Sequence, residues 1–125
     1  MSIETIRLSQ RAKEILINMK RPTGISNWNV LCRWALCLSL AEPTPPPRLD
    51  SEPTSNVEMT WKTFGGEFAR VYRTVLMLRY HQETQTSEEK TSLQDYLQRH
   101  LSRGIGYLAA KKVENIKELA ALSVK

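Results

Sequence analysis

The stretch that most constrains the fold is residues 28–40, WNVLCRWALCLSL. On a helical wheel its side chains are apolar almost all the way round, and Asn29 and Arg33 interrupt them on one narrow strip. A helix of this length spans about 19 Å, too short to cross a bilayer. A chain of 125 residues can bury one face of such a helix in its own core. Burying the other face favours a second copy of the chain, so the sequence predicts oligomerisation through this helix.

The predicted contact surface between copies combines this helix with one outward-facing residue of the preceding segment. The expected interface residues are Ile17, Trp28, Val30, Leu31, Trp34, Cys37 and Leu38. Cys32 and Cys37, the two cysteines of the chain, point to different sides of the helix and cannot form a disulfide with each other. We interpret both as small buried hydrophobic residues in a reducing cytoplasm, and their spacing argues against a metal site.

A short strand is predicted at the start of the chain, in residues 3–8, IETIRL. Thr5 and Arg7 share one face of this strand. A lone strand is not stable in water, and no second strand follows closely in the sequence. The expected partner is therefore the same strand of a two-fold related copy.

An amphipathic helix is predicted next, from residue 10 to about residue 21, with Ser9 as its N-cap. Pro22 and Gly24 then indicate a type I turn before the apolar helix. Strand, helix, turn and helix in this order are typical of a ribbon-helix-helix unit, an intertwined dimer whose two-stranded ribbon can read DNA.

The remainder of the chain divides into a linker and a helical part. Residues 42–56 contain five of the six prolines and predict an extended acidic linker without a strand. A helix from about Glu67 to His81 follows, and a capping motif at residues 86–89 predicts another that ends near Gly104. The expected core side of the first of these helices is formed by Phe68, Val71, Tyr72, Val75, Leu76 and Leu78.

These elements predict a mainly α fold that is oligomeric. The expected organisation is a ribbon-helix-helix-like unit in residues 1–41 for oligomerisation and DNA binding, a proline-rich linker in 42–56, and a helical part of the same single domain in 57–125. Met1 leads into an alternating segment and no apolar run is long enough to span a membrane, so we expect a cytoplasmic protein.

Positive charge is concentrated on the segments predicted to be structured. The net charge is +5, basic residues outnumber acidic ones in residues 1–40 and 61–125, and residues 41–60 are acidic. This distribution favours a polyanionic partner, most simply DNA, and an ordinary solvated basic surface is the alternative.

A phosphate site is predicted where the amphipathic helix ends and the apolar helix begins. A glycine there lets the backbone approach an anion closely, and the start of the next helix offers free amide hydrogens. The expected DNA-contacting residues are Arg7, Arg11, Lys13, Lys20, Arg21, Thr23, Gly24 and Arg33. Arg33 has two interpretations, a structural ion pair at a subunit interface or a DNA contact.

Catalytic chemistry has little support in the sequence. His81 and His100 are isolated and predicted at helix ends or helix surfaces. The acidic residues do not form a magnesium cluster, and no glycine-rich phosphate loop precedes a lysine. We therefore expect no catalytic residue, no metal and no cofactor.

One stretch resembles a known family. Thr23, Gly24 and Ile25, followed by NVLCRWALCLSL at residues 29–40, closely resemble the corresponding stretch of the DndE family, and TFGGEF at residues 63–68 resembles its next part. DndE is the small subunit of the bacterial system that replaces a non-bridging phosphate oxygen of DNA with sulfur. The resemblance implies a non-catalytic, ribbon-helix-helix-like, tetrameric protein that binds DNA, with nicked duplex favoured. It also implies partner subunits: a cysteine desulfurase, an iron–sulfur subunit and an ATPase subunit.

Three further functions remain as alternatives. A ribbon-helix-helix repressor would read a sequence through Thr5 and Arg7 and would bind one operator tightly. An assembly scaffold would make no DNA contact. A DNA-nicking enzyme ranks last, because no acidic or metal-binding set is visible in the sequence.

Overall fold

Helices dominate the computed structural model, which describes residues 5–49, 52–84 and 91–110. The elements are β1 (Thr5–Ser9), α1 (Gln10–Thr23), α2 (Trp28–Leu40), β2 (Thr54–Thr60), α3 (Trp61–Gly65), a 3₁₀ turn (Gly66–Phe68), α4 (Ala69–Thr84) and α5 (Leu93–Ala110). The prediction of a mainly α fold is confirmed. Within the described ranges, no helix combines the length and the apolar character needed to span a membrane.

β1 pairs with β2 of the same chain in an antiparallel ladder. Thr5 faces Thr60, and Ile6 faces Met59 across the two strands. Ile6 and Leu8 are buried while the alternate residues point outward, as the period of two predicts. The expectation that β1 pairs with its own copy is wrong, because β1 forms its ladder with β2 of the same chain. β2 also begins inside the stretch predicted to be a linker without a strand.

α1 begins and ends with local capping interactions. The Ser9 hydroxyl accepts a hydrogen bond from the Ala12 amide at 3.0 Å, which confirms the predicted N-cap. The helix continues through Pro22, so the type I turn expected there is wrong. It ends at Gly24, whose φ of 72° is left-handed and whose N–H donates to the Arg21 carbonyl.

α2 spans the predicted residues and packs one face on α5 at close range. Leu31, Cys32 and Ala35 are fully buried on this face. A Cβ atom at Gly104 of α5 would lie 1.8 Å from the carbonyl oxygen of Ala35, so only glycine permits this approach. The expected helix end near Gly104 is therefore wrong, since α5 continues to Ala110. The predicted capping motif at residues 86–89 lies outside the described residues.

α4 packs on the rest of the chain along one narrow side. Leu76 is its only fully buried residue, and Tyr72 and Met77 are partly buried. Four residues expected in the core are largely exposed: Phe68 (55%), Val71 (57%), Val75 (44%) and Leu78 (60%). We call these four residues the α4 stripe; Phe68 is the last residue of the 3₁₀ turn, and the other three lie on α4. The periodicity identified an apolar face correctly, but the described chain does not cover most of it.

Two arginines hold the start of the proline-rich segment against the helices. Arg79 of α4 donates to the carbonyls of Leu40, at 2.8 Å, and Glu42. Arg103 of α5 donates to the carbonyls of Ser39 at 2.7 Å and Thr44 at 2.9 Å. The start of this segment therefore lies against the surface of the helices.

Candidate nucleic-acid interface

Three cations line one flank and the last turn of α1. We call Lys13, Lys20 and Arg21 the basic strip. The Lys13 ammonium donates to the Asn56 side chain of β2 at 2.7 Å, and the Lys20 ammonium lies 3.8 Å from the ring centroid of Trp28. Both partners are uncharged, and within the described ranges no member of the strip forms an ion pair. The positive charge of the strip is therefore available to an external anion.

The basic strip leads directly to the start of α2. The exposed Gly24 turns the chain, and Asn27 occupies the N-cap position without a side-chain capping hydrogen bond. The first amides of α2 are thus left without that cap at the positive end of the helix dipole. An open depression of about 260 Å³ adjoins this start and is lined by residues 26–29, residues 57–59 of β2 and Thr63; its acidic residue, Glu58, is paired with Arg7. This arrangement suits a phosphate group.

The other predicted contact residues are placed differently. Arg7 forms an exposed ion pair with Glu58 across the ribbon at 2.8 Å, and Arg11 lies on the opposite flank of α1 from Lys13. Thr23 is buried, and its hydroxyl donates to the Met19 carbonyl at 2.6 Å and accepts from the Ile25 amide at 3.2 Å. The prediction of a DNA contact by the Thr23 side chain is therefore wrong.

A second open surface lies between the outer face of α2 and α4. An open groove of about 460 Å³, which we call the α2–α4 groove, is lined by Val30, Arg33, Trp34, Cys37 and Tyr72. Arg33 therefore lies away from the basic strip, and it forms no ion pair within the described chain. Leu31 and Leu38, expected at a subunit interface, are buried in the core of their own chain, and this part of the prediction is wrong.

The two cysteines occupy different environments. Burial raises the pKa of the Cys32 thiol to about 12. Cys37 is exposed to the groove, contrary to the prediction that it is buried. Partial burial still raises the pKa of Cys37, against the opposing effects of the Tyr72 hydroxyl and the Arg33 charge. Both thiols are protonated at neutral pH, unlike the thiolate of a catalytic cysteine.

His100 is fully buried on α5, so its predicted surface position is wrong. Its Nδ1 lies 2.7 Å from the Ser39 hydroxyl, which also accepts a hydrogen bond from Arg103 Nε at 2.8 Å. The Ser39 hydroxyl can therefore donate its own proton to His100 Nδ1 in the neutral tautomer that carries the ring proton on Nε2. Burial, followed by the charge of Arg103, lowers the pKa of His100 to about 4. Because Ser39 is completely buried, this Ser–His contact cannot reach a substrate.

A signal for the position of His100 exists in the sequence. His100 follows Tyr96 and Leu97 at helical spacing on the apolar face of α5. That face continues beyond Gly104 to Leu108. In the described ranges, no group of three or more His, Cys, Asp or Glu residues is arranged to hold a metal ion.

Comparisons with known proteins point to one family. The family model for DNA sulphur modification protein DndE matches residues 5–116. The fold is similar to the crystal structure of a DndE mutant involved in DNA phosphorothioation, with a TM-score of 0.61 and 20% identity, covering 87% of this chain and 99% of that one. A search of curated proteins gives no match. Since the family model spans most of the sequence, the chain belongs to the DndE family of DNA sulphur modification proteins.

Proposed function

We propose that this protein is a non-catalytic accessory subunit of DNA phosphorothioation that binds the DNA backbone. The observation that carries the proposal is the basic strip, which ends at the turn into α2 and has no ion pair within the described chain. Family membership supplies the process, DNA sulphur modification. The strip supplies a surface for the polyanion on which that process acts.

Backbone contact suits this surface better than base readout. Lys20 and Arg21 are adjacent to Gly24, where no side chain obstructs the approach of a phosphate to the backbone. Trp28 holds the Lys20 ammonium in place without neutralising its charge. Contacts of this kind fix a duplex in position but carry little sequence information. In the proposed complex Lys13, on the same flank of α1 as Lys20, extends the contact along the DNA.

The other proposed features concern partners. In a homotetramer the basic strips of several copies would contact one duplex. Nicked DNA would offer such an assembly an additional bend or end. The protonated thiols and the enclosed Ser39 support a role without sulfur chemistry. The chemistry then belongs to partner subunits of the iron–sulfur and ATPase type that the family resemblance implies. A cytoplasmic location accords with this role.

Two matched double variants test DNA binding. Lys20→Glu/Arg21→Glu reverses two charges of the basic strip, and Lys62→Glu/Arg70→Glu reverses two exposed charges on α3 and α4. The first variant should weaken duplex binding on the order of 100-fold and reduce the slope of log K against log salt by about 2. The second should retain affinity within about fivefold, since only its long-range charge is lost.

The outcome separates the proposed function from its alternatives. Equal losses in the two folded variants contradict a defined binding strip. Absence of any complex with the unmodified protein at low salt indicates a scaffold. The repressor alternative requires one preferred sequence, whereas equal affinity for unrelated duplexes supports backbone binding. The ribbon offers the repressor little support, because Arg7 is paired with Glu58.

A further inference from the structure

The α2–α4 groove has a lining that the basic strip does not use. Its α2 wall is one helix face, since the spacing i, i+3, i+4, i+7 places side chains on one side of a helix. The residues of this wall are Val30, Arg33, Trp34 and Cys37, and Tyr72 of α4 lies across from them. The volume of about 460 Å³ falls within the range of small-ligand sites, about 300–1,000 Å³. The groove is therefore large enough to hold one planar ring and the groups attached to it.

The two aromatic side chains of the groove are held in place by their neighbours. Trp34 is partly buried and packs against the core. The ring of Tyr72 lies edge-on to the buried Phe64, with 5.8 Å between the ring centroids. The Tyr72 hydroxyl also donates a hydrogen bond to the Cys37 sulfur. Side chains already fixed in this way lose little freedom when a ligand binds, so the two rings are ready to stack on a planar group.

Arg33 gives the groove one positive charge. Its guanidinium forms no ion pair within the described chain, and none of the described residues that line the groove is acidic. A Cβ atom at Gly66 would lie 3.4 Å from Arg33 Nη1, so the 3₁₀ turn approaches the guanidinium with backbone and not with a side chain. A guanidinium without a counter-ion in an aromatic groove favours an anion that also carries a planar ring.

We propose that the α2–α4 groove binds one unpaired nucleotide of a DNA strand, with its base against Trp34 and Tyr72 and its phosphodiester on Arg33. Aromatic side chains bind unpaired bases by stacking, whereas the bases of a duplex are already stacked on each other. The groove is open to the surface, so the flanking nucleotides can remain outside it. This site lies apart from the basic strip and recognises a different feature of DNA.

Charge favours a nucleotide within a strand over other occupants. A phosphodiester carries one negative charge, which the single guanidinium of Arg33 balances. The terminal phosphate of a free mononucleotide carries about −1.5 to −2 at pH 7, and no second cation lines the described groove. An apolar protein segment would cover Arg33 without a counter-ion, which is costly.

The first test compares three probes with the full chain at low salt. The probes are a fluorescent thymidine strand of about eight nucleotides, an abasic strand with the same number of phosphates, and thymidine monophosphate as a competitor. In fluorescence anisotropy the thymidine strand should bind on the order of tenfold more tightly than the abasic strand, because only it can stack. Equal affinity for the two strands overturns the proposal. Competition by the monophosphate at the same nucleotide concentration as unlabelled strand overturns the preference for a nucleotide within a strand.

The second test locates base binding in the groove. Trp34→Leu removes the aromatic face but keeps an apolar side chain, and it should weaken binding of the thymidine strand on the order of tenfold. Trp34→Phe keeps an aromatic ring and should bind within about threefold of the unmodified protein. Circular dichroism verifies that both variants are folded. Equal affinities of the two folded variants for the thymidine strand overturn the proposed stacking.

A matched pair of arginine variants tests the phosphate contact. Arg33→Gln should weaken binding of the thymidine strand on the order of tenfold, because a charge-assisted hydrogen bond is lost. Arg70→Gln removes the same charge from an exposed position on the side of α4 away from Tyr72, and it should change affinity less than twofold. Equal losses in the two variants indicate attraction by overall charge and overturn the assignment of Arg33.

This inference does not depend on the basic strip. A protein that prefers the thymidine strand to the abasic strand but binds no duplex contradicts the proposed function alone. A protein that binds duplex through Lys20 and Arg21 but does not distinguish the two strands contradicts the nucleotide site alone.

Discussion

Gly104 illustrates how one residue determines the separation of two helices. Its missing side chain lets the backbone of α5 lie against the Ala35 carbonyl of α2, so the two helices pack at close range. Gly106, two residues further on and on a different side of α5, has no atom within 4 Å of where its Cβ would stand. The two glycines therefore provide a matched pair of substitutions.

Gly104→Ala should destabilise the protein by about 3 kcal/mol, because α2 and α5 must separate to admit a methyl group. Gly106→Ala should instead stabilise it by about 1 kcal/mol, since alanine is the better helix former and meets no neighbour. Urea unfolding followed by circular dichroism measures both changes. Equal effects of the two substitutions would contradict the close helix contact.

His100 should make the stability of the protein dependent on pH. Its pKa is about 4 in the folded chain and 6.5 without the fold, so the unfolded state binds the proton more readily. Its contribution is complete above pH 6.5 and is lost as pH falls towards 4. Wild type should lose about 2–3 kcal/mol more than His100→Gln between pH 7.5 and pH 4.5 in urea unfolding. His81→Gln, which changes an exposed histidine, should keep the wild-type dependence.

The apolar periodicity of α5 indicates the positions of both Gly104 and His100 in the sequence. The apolar positions of α5 run past Gly104, and His100 lies among them. The sequence predicts a helix end at Gly104 because a C-cap glycine and a helix-contact glycine have the same local pattern. Only the position of α2 distinguishes them, and that position depends on the tertiary fold.

At the scale of elements, β1 was predicted correctly but its partner was not. The alternation of Ile6 and Leu8 with polar residues is a local property, whereas β2 follows more than forty residues later in the chain. For α4, too, the sequence predicts the local pattern but not what packs against it. Its periodicity identifies an apolar row, but the pattern does not say whether the same chain or another one covers it.

The pairing of β1 with β2 can be checked by a designed disulfide. Thr5→Cys/Thr60→Cys in a Cys37→Ser background joins directly opposed positions and should form an intrachain bond. The product should run as a monomer on a non-reducing gel. Thr5→Cys/Asn56→Cys places the second cysteine four residues, or about 13 Å, out of register and should not close. A disulfide-linked dimer from the first variant would instead support a ribbon shared between copies.

At the scale of the whole molecule, some residues of the candidate site are neighbours in the chain, whereas the position of others depends on the tertiary fold. The sequence was sufficient to locate Lys20, Arg21 and Gly24 together, because they are neighbours in the chain. It was not sufficient for Arg33, which lies on the other side of α2, in the α2–α4 groove. Net charge of +5 is modest for one subunit, and an assembly would multiply it on one duplex.

Cys37 gives the chain a built-in reporter of that assembly. The chain has two thiols, and only this one opens to the surface, so a maleimide dye would attach once per subunit inside the α2–α4 groove. If the proposed homotetramer covers this groove, reagent access should fall as copies associate and should return on dilution. The rate of labelling would then follow association in real time, without any engineered residue.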